Sequence, residues 1–103
     1  MAVDSKKSLV FLLRGEQTVR TITETHRALA SALAAAPSLV IDASELGEAD
    51  LPAVQLIEAA RLAAARDGKR IAMASPLPDA LRSMLERGGF LASPSNALFW
   101  TAP

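Results

Sequence analysis

The chain has 103 residues, half of them apolar, with equal numbers of acidic and basic residues and no cysteine. That length accommodates one domain, not a catalytic domain plus a regulatory one, and the lack of cysteine excludes disulfides, thiolate metal sites and cysteine nucleophiles. A nucleic-acid binder or a membrane-surface protein would normally carry a basic excess, so the balanced charge disfavours both. The apolar stretch at residues 9–13 is too short for a signal peptide or a membrane span, and we therefore expect a cytoplasmic protein without membrane insertion.

The N-terminal half shows two strand patterns and one helix pattern. Residues 9–13 predict a buried strand, because the run is short, β-branched and aromatic, and soon followed by glycine. Residues around Val3 could pair with it as an edge strand. Thr21 and Glu24 have the spacing of a capping box, which predicts a helix that ends before Pro37. A second buried strand is expected directly after that proline.

The C-terminal half continues the alternation. After a polar loop at residues 43–50, the later elements are a helix, a strand, a helix and an apolar tail, predicted at residues 50–66, 69–75, 79–87 and 98–100. Asp50 is a good N-cap, and the glycine pair after residue 87 closes the last helix, with Phe90 packing back. The tail is expected to be a short strand or an apolar anchor. This order predicts an α/β fold in one domain over residues 1–103, with a small, mostly parallel mixed sheet, about three helices and one sheet face partly uncovered.

The sequence contains few residues in arrangements suited to catalysis. His26 is the single histidine and has no second ligand at helical spacing, so we expect it at the rim of the core and expect no metal site. No nucleophile elbow or phosphate-binding glycine pattern is present. Glu45, Glu48 and Asp50 crowd one loop, but an acidic cluster before a helix is more often structural. The chain is therefore expected not to be an enzyme and to need no cofactor.

The helix at residues 50–66 has an outward face as well as a core face. At 100° per residue, the face opposite the core carries Leu51, Gln55, Glu58, Leu62 and Arg66. Two leucines along one line beside polar residues indicate a contact surface, although harmless exposure is the open alternative.

Several segments, in order, resemble the motifs of one family. Residues 39–44 read LVIDAS, where STAS domains typically have an apolar strand ending in Asp-Leu-Ser-Gly. Residues 50–54 read DLPAV, in the place of that family's Asp-Ser-Ser-Gly-Leu at the start of an alanine- and leucine-rich helix. Residues 13–16, LRGE, and 67–71, DGKRI, are similar to its Gly-Glu-Leu signature and its glycine turn. Over most of its length the chain therefore resembles a STAS domain, the module of bacterial anti-sigma-factor antagonists.

The departures from the family pattern concern its phosphorylation switch. In phosphorylatable relatives a serine or threonine follows the motif's aspartate, and phosphorylating it breaks the partner complex. Leu51 occupies that position here and Pro52 follows it, so the resemblance implies that the usual switch is absent. Ser44 is near enough to be a substitute acceptor, but a turn hydroxyl bonded to its own backbone is the favoured interpretation.

The resemblance implies an interaction module in bacterial signal transduction. Its partner would be another protein, either anti-sigma-factor-like or kinase-like, or a chemotaxis component. A second hypothesis is a constitutive STAS-like subunit bound to the ATPase of a membrane lipid transporter, and nucleotide binding in the same loop is a third. A homodimer is also possible. The predicted partner interface consists of Glu48, Asp50, Leu51, Gln55, Glu58 and Leu62.

Overall fold

Helices and strands alternate along residues 8–18, 20–74 and 77–101, the part of the chain that this computed structural model describes. The elements are β1 (Ser8–Leu12), β2 (Gly15–Gln17), α1 (Ile22–Ala35), β3 (Ser38–Asp42), β4 (Leu46–Ala49), α2 (Leu51–Arg66), β5 (Arg70–Met73), α3 (Asp79–Arg87) and α4 (Pro94–Thr101). The edge strand suggested around Val3 lies outside the described residues. That residues 1–103 form a single domain stays a prediction.

Parallel pairing organises both sheets of the described chain. β1, β3 and β5 form a three-stranded sheet in that order, and β2 pairs with β4 in a separate two-stranded sheet. α1 lies between β1 and β3 in the chain, and α2 lies between β3 and β5. Since crossovers between parallel strands are right-handed as a rule, both helices are expected on the same sheet face, and they do pack against each other. The predicted α/β fold with a parallel sheet is confirmed. The smaller sheet was not predicted, and its strand β4 lies in the segment that was expected to be a polar loop.

The core lies between the three-stranded sheet and the helix pair. Leu39 and Ile41 of β3 are fully buried, and Leu29 and Leu33 of α1 pack above them. Each such side chain removed from water stabilises the fold by about 1.5–3 kcal/mol. One side of α2 faces this core, and its buried residues are Ala53, Val54, Leu56, Ile57, Ala60 and Ala64.

β1 is not the buried strand that the sequence predicted. It is an edge strand of the larger sheet in the described chain, and Leu9, Val10 and Leu12 are between 40% and 57% exposed. An apolar run indicates burial only where both sheet faces and both strand edges are covered. Val10 lies beside Val40, which lies beside Ala72, on the face away from α1 and α2. That face is partly uncovered in the described chain, as predicted.

The start of α1 differs from the predicted capping box. Thr21 does precede the helix, but its hydroxyl makes no capping hydrogen bond. It donates instead to the backbone carbonyl of Glu16 at 2.9 Å and accepts from the N–H of Thr18 at 3.0 Å. Thr21 therefore fastens the turn before the helix to the end of β2.

The C-terminal tail, expected to be a short strand or an apolar anchor, forms a helix, α4, whose Trp100 is anchored in the core. The helix begins at Pro94, a residue favoured in the first turn, and Ser93 precedes it. The Ser93 hydroxyl accepts a hydrogen bond from the N–H of Asn96 at 3.1 Å, as an N-cap residue does. Trp100 near its end is 1% exposed and belongs to the core. About three helices were expected from the sequence, and the described residues contain four.

Two helix ends follow the predicted stop signals. α2 ends at Arg66, and Gly68 adopts a φ of +70° that side chains other than glycine rarely adopt. α3 covers the predicted residues 79–87, and the N–H of Phe90 donates back to the carbonyl of Leu85 at 3.0 Å. No helix in the described residues is long and apolar enough to cross a bilayer.

Candidate functional site

The start of α2 is held in place by the small second sheet. The N–H of Asp50 donates to the carbonyl of Gln17 at 3.0 Å, so the helix begins where β2 and β4 end. Gln17 is itself 6% exposed; its amide donates to the carbonyl of Arg14 and accepts from the Thr25 hydroxyl at 2.6 Å. Because this buried glutamine is hydrogen-bonded at both its amide nitrogen and its amide oxygen, it holds the strand end that receives the first turn of α2.

Asp50 is the N-cap of α2 by position, as predicted, but its carboxylate makes no capping hydrogen bond. Its backbone is extended, and its carbonyl accepts the first helical bond, from the N–H of Ala53 at 2.9 Å. The side chain is exposed beside a shallow polar notch that also involves Glu16, Thr18 and Arg20. Arg20 and Glu16 form an exposed ion pair at 3.3 Å within that notch. The carboxylate of Asp50 therefore points to the outside of the domain.

Leu51 stands exposed at the first residue of α2. Its side chain is 45% exposed, so it is accessible for an apolar contact with another molecule. Pro52 follows in the first turn, where its missing N–H costs no hydrogen bond. The position has no hydroxyl, so no phosphate ester can form on this side chain.

The outward face of α2 continues from Leu51 as a line of exposed residues. Gln55 is exposed one turn on, and Leu62 is 72% exposed three turns on. Ala59 between them is also exposed, and Arg66 ends the line. Since residues three and four apart share one side of a helix, this line is one continuous surface. We call Leu51, Gln55, Ala59, Leu62 and Arg66 the outward face.

Glu58 lies beside this face and turns toward α4. Nε1 of Trp100 donates to Oε2 of Glu58 at 2.6 Å, and Nη1 of Arg61 lies 3.6 Å from Oε1. The Glu58 side chain is only 23% exposed. A carboxylate that satisfies a buried indole N–H holds the fold together. Its predicted place in a partner interface stays a prediction, and we leave Glu58 out of the outward face. Glu48 lies in β4, and its predicted place in the same interface also stays a prediction.

Arg61 joins α2 to α4, a role that the sequence analysis missed. Its guanidinium donates to Oδ1 of Asn96 at 2.6 Å and to the carbonyl of Ser95 at 3.4 Å, and it stacks over the Phe99 ring at 4.7 Å. These partners are more than 30 residues away in the chain. No local sequence signal marks such a contact, because only the folded chain brings the two helices together.

A shallow apolar groove runs beside the outward face, between α1 and α2. One hollow of about 120 Å³ is lined by leucine and alanine side chains with His26 at its edge. His26 is exposed, so the predicted rim position is confirmed. A second hollow continues past Thr23, Pro52 and Gln55 toward the start of α2. The groove holds no pair of groups suited to acid–base chemistry.

The turn after β3 carries a carboxylate whose pKa is shifted. The backbone N–H of Ser44 donates to Oδ1 of Asp42 at 2.9 Å, and this bond, with a smaller contribution from the Ser44 hydroxyl, lowers the pKa of Asp42 below its ordinary value. Ser44 is exposed in this turn. A phosphate on Ser44 would lie next to an ionised carboxylate, which disfavours it as a substitute acceptor.

The described residues contain no group of three histidine, cysteine, aspartate or glutamate side chains that could hold a metal ion. The same part of the chain shows no buried polar side-chain atom without a hydrogen-bond partner. The candidate site is an exposed helix face of apolar and uncharged polar side chains that ends at the charged Arg66.

Comparisons with known proteins agree with the geometry. A family model described as "Mlab, STAS domain" matches residues 1–92. Among solved structures, the fold is similar to that of the Bacillus cell fate determinant SpoIIAA in its phosphorylated form. That match has a TM-score of 0.64 and 15% sequence identity, and it covers 89% of this chain and 88% of the other. The comparison with curated protein sequences returned no match.

Proposed function

The chain belongs to the STAS domain family, and from that premise we propose that it is a non-enzymatic module that docks a partner protein through the outward face of α2. Domains of this family are in general interaction domains, which supports a signalling-type role. The proposed partner is an anti-sigma-factor or kinase-like protein, or a chemotaxis component, of a bacterial cell.

One observation carries the proposal. Leu51 and Leu62 are 45% and 72% exposed on the same side of one helix, with Gln55 between them. An exposed leucine that becomes buried in a complex contributes about 1.5–3 kcal/mol before the cost of association. Two exposed leucines and the hydrogen-bonding Gln55 between them combine apolar area with a polar group, as protein interfaces do.

The same surface is proposed to act without the family's switch. A phosphate would add a charge of about −2 at the start of α2 and would have to be desolvated against the partner. Leu51 accepts no phosphate and does not mimic one. We propose that the contact is governed by the amounts of the two proteins and not by phosphorylation.

A second candidate function is a permanent subunit of a membrane lipid transporter, bound to its ATPase. The apolar side chain of Leu51 at the switch position favours it, because a constitutive subunit needs no hydroxyl there. The two candidates predict different partners for one surface.

Affinity capture from the native host, followed by mass spectrometry, tests the proposal. Leu51→Glu should lower the captured partner at least tenfold, since an interface leucine replaced by a charge costs about 2 kcal/mol or more. Leu98→Glu is the matched control, because Leu98 is 68% exposed on a different helix. Equal capture by both variants and the wild type would refute the docking surface. Recovery of a transporter ATPase in place of a signalling protein would select the second candidate.

A further inference from the structure

A hollow of about 490 Å³, which we call the β5 hollow, is lined by residues of β3, α2, β5 and α4 and of the turn before β5. From its charges and its walls we infer that it binds an amphipathic phosphate, that is, a phosphate monoester carried on an aliphatic body. No residue of the outward face lines the β5 hollow. The inference therefore goes beyond the proposed docking function and does not depend on it.

Three cationic side chains line the β5 hollow, and no acidic residue does so. The three are Arg61, Lys69 and Arg70. The chain as a whole has equal numbers of acidic and basic residues, so this concentration of one sign is a local feature and does not result from a basic composition. A concave surface lined by one sign of charge attracts the opposite sign, and the β5 hollow therefore selects an anion.

The hydrogen bonds that these cations already make leave donors for an anion. Lys69 donates to the backbone carbonyl of Leu33 in the last turn of α1, and this neutral acceptor uses one of its three ammonium protons. Arg61 donates to two neutral oxygens of α4, and the Glu58 carboxylate, at 3.6 Å, offsets part of its charge. Arg70 is exposed and forms no ion pair within the described part of the chain.

Two uncharged donors add to the cations. Ser38 lies beside Arg70 in the neighbouring strand, and its hydroxyl accepts from Ser8 at 3.0 Å, so its own O–H remains to donate. The backbone N–H groups of Arg70 and Ala74 donate on the β3 side. Because alternate residues of a strand bond to opposite sides, the N–H of Ile71 points to the other edge of β5, which no strand covers in the described chain. Ile71 lines the β5 hollow.

A phosphate monoester fits these donors better than a carboxylate does. With the Glu58 carboxylate counted, the charged residues at the β5 hollow carry a net charge of +2. A phosphate monoester carries about −1.5 to −2 at pH 7 and offers three acceptor oxygens, whereas a carboxylate carries a single charge and two oxygens. Arginine and lysine are the side chains that bind phosphate most readily.

The rest of the lining is mostly apolar and favours an aliphatic body on that phosphate. It consists of Leu39, Val40, Ala65, Ile71, Ala72 and Phe99. Arg61 stacks over the Phe99 ring at 4.7 Å, so one face of the only aromatic ring in the lining is taken by the protein's own cation and not by a nucleobase. Each methylene that leaves water against the aliphatic side chains strengthens binding about fourfold.

An NMR titration of the purified, isotope-labelled chain with hexyl phosphate tests this inference. The amide signals of Ala65, Arg70 and Ile71 should shift saturably, with a dissociation constant of about 1 mM or tighter. Inorganic phosphate and hexanol, which each carry half of the ligand's chemistry, should bind at least about tenfold more weakly. Hexanoate should also be weaker by about tenfold, since it makes fewer charge-assisted hydrogen bonds. Adenosine monophosphate should bind more weakly than hexyl phosphate.

Two substitutions with matched controls locate the site. Arg70→Gln should weaken hexyl phosphate binding about tenfold, and Ala65→Glu should weaken it at least as much because its carboxylate repels the phosphate. Arg82→Gln and Ala80→Glu make the same exchanges at exposed positions of α3 that do not line the β5 hollow, and they should leave binding unchanged. Circular dichroism of each variant verifies that the fold is kept.

Several results would overturn the inference. One is a wild type whose signals do not shift up to about 10 mM hexyl phosphate. Another is equal weakening by the variants and their controls. Inorganic phosphate, hexanol or hexanoate binding as tightly as hexyl phosphate would refute the amphipathic phosphate, and tighter binding of adenosine monophosphate would refute the aliphatic body. Because no partner protein is present, each of these results leaves the docking proposal to its own capture experiment.

Discussion

The hydrogen bond between Glu58 and Trp100 makes a sharp prediction about stability. Replacing Glu58 with leucine leaves the indole N–H of Trp100, a residue that is 1% exposed, without its 2.6 Å acceptor. A hydrogen bond to a charged group contributes about 1.5–3 kcal/mol, and the partly exposed ion pair with Arg61 adds at most about 1 kcal/mol. We therefore expect Glu58→Leu to lower the free energy of unfolding by about 2–3 kcal/mol.

Graded substitutions separate the causes of that loss. Glu58→Gln keeps an oxygen acceptor and removes the charge, so it should cost about 1 kcal/mol. Gln55→Leu is the matched control, because Gln55 is exposed one turn away on the same helix, and its replacement should stay within about 0.5 kcal/mol.

Trp100 is the only tryptophan and reports its own environment. Its fluorescence during urea and thermal unfolding gives both the free energy and the midpoint. In a domain of this size, 1 kcal/mol corresponds to about 4–8 °C, so Glu58→Leu should lower the midpoint by roughly 10–20 °C. A midpoint for Glu58→Leu within about 2 °C of the wild type would refute the role assigned to this bond.

Further predictions concern the turns. The lowered pKa of Asp42 means that its carboxylate stabilises the fold above its ordinary pKa of 3.8 and loses that contribution as pH falls through the lower folded-state value. The wild type should therefore be more stable than Asp42→Asn to urea at neutral pH, and the difference should vanish on acidification. A difference that is independent of pH would contradict this. Gly68→Ala should cost about 1 kcal/mol in urea unfolding, and Gly68→Asn less, because φ is +70° there and no atom lies within 4 Å of an added Cβ. Gly88→Ala would place its Cβ 2.6 Å from the Phe90 ring, so its cost should shrink when Phe90 is also alanine; additive losses in that double-mutant cycle would rule the clash out.

The helical part of the fold could be predicted because its signals are local. α3 lies at the predicted residues 79–87, and α2 begins after Asp50 and ends at Arg66 as expected. An N-cap, a glycine stop and a 3.6-residue period each act within one or two turns, so a single sequence carries them.

The strands were harder to predict, because burial depends on neighbours that the sequence does not specify. Residues 9–13 are apolar enough for a central strand, yet β1 is an edge strand in the described chain. β2 and β4 are too short for a periodic pattern, and only their mutual pairing makes them strands. The helix α4 was missed in spite of Ser93 and Pro94, since the polar and apolar side chains of its eight residues do not separate onto two faces.

The candidate site also combines features that the sequence predicts with features that it does not. Exposure of Leu51 and Leu62 followed from helix geometry alone. The partners of Glu58 could not be predicted, because Trp100 lies 42 residues further along the chain. Helical spacing placed Glu58 on the outer side of α2, and tertiary contact turned it inward.

Photo-crosslinking in the native host tests the docking surface most directly. A photoreactive amino acid in place of Leu62 should capture a partner protein on illumination. The same amino acid in place of Leu98, which is similarly exposed on α4, should capture none. Crosslinks from position 98 with none from position 62 would contradict the assignment of α2 as the docking face.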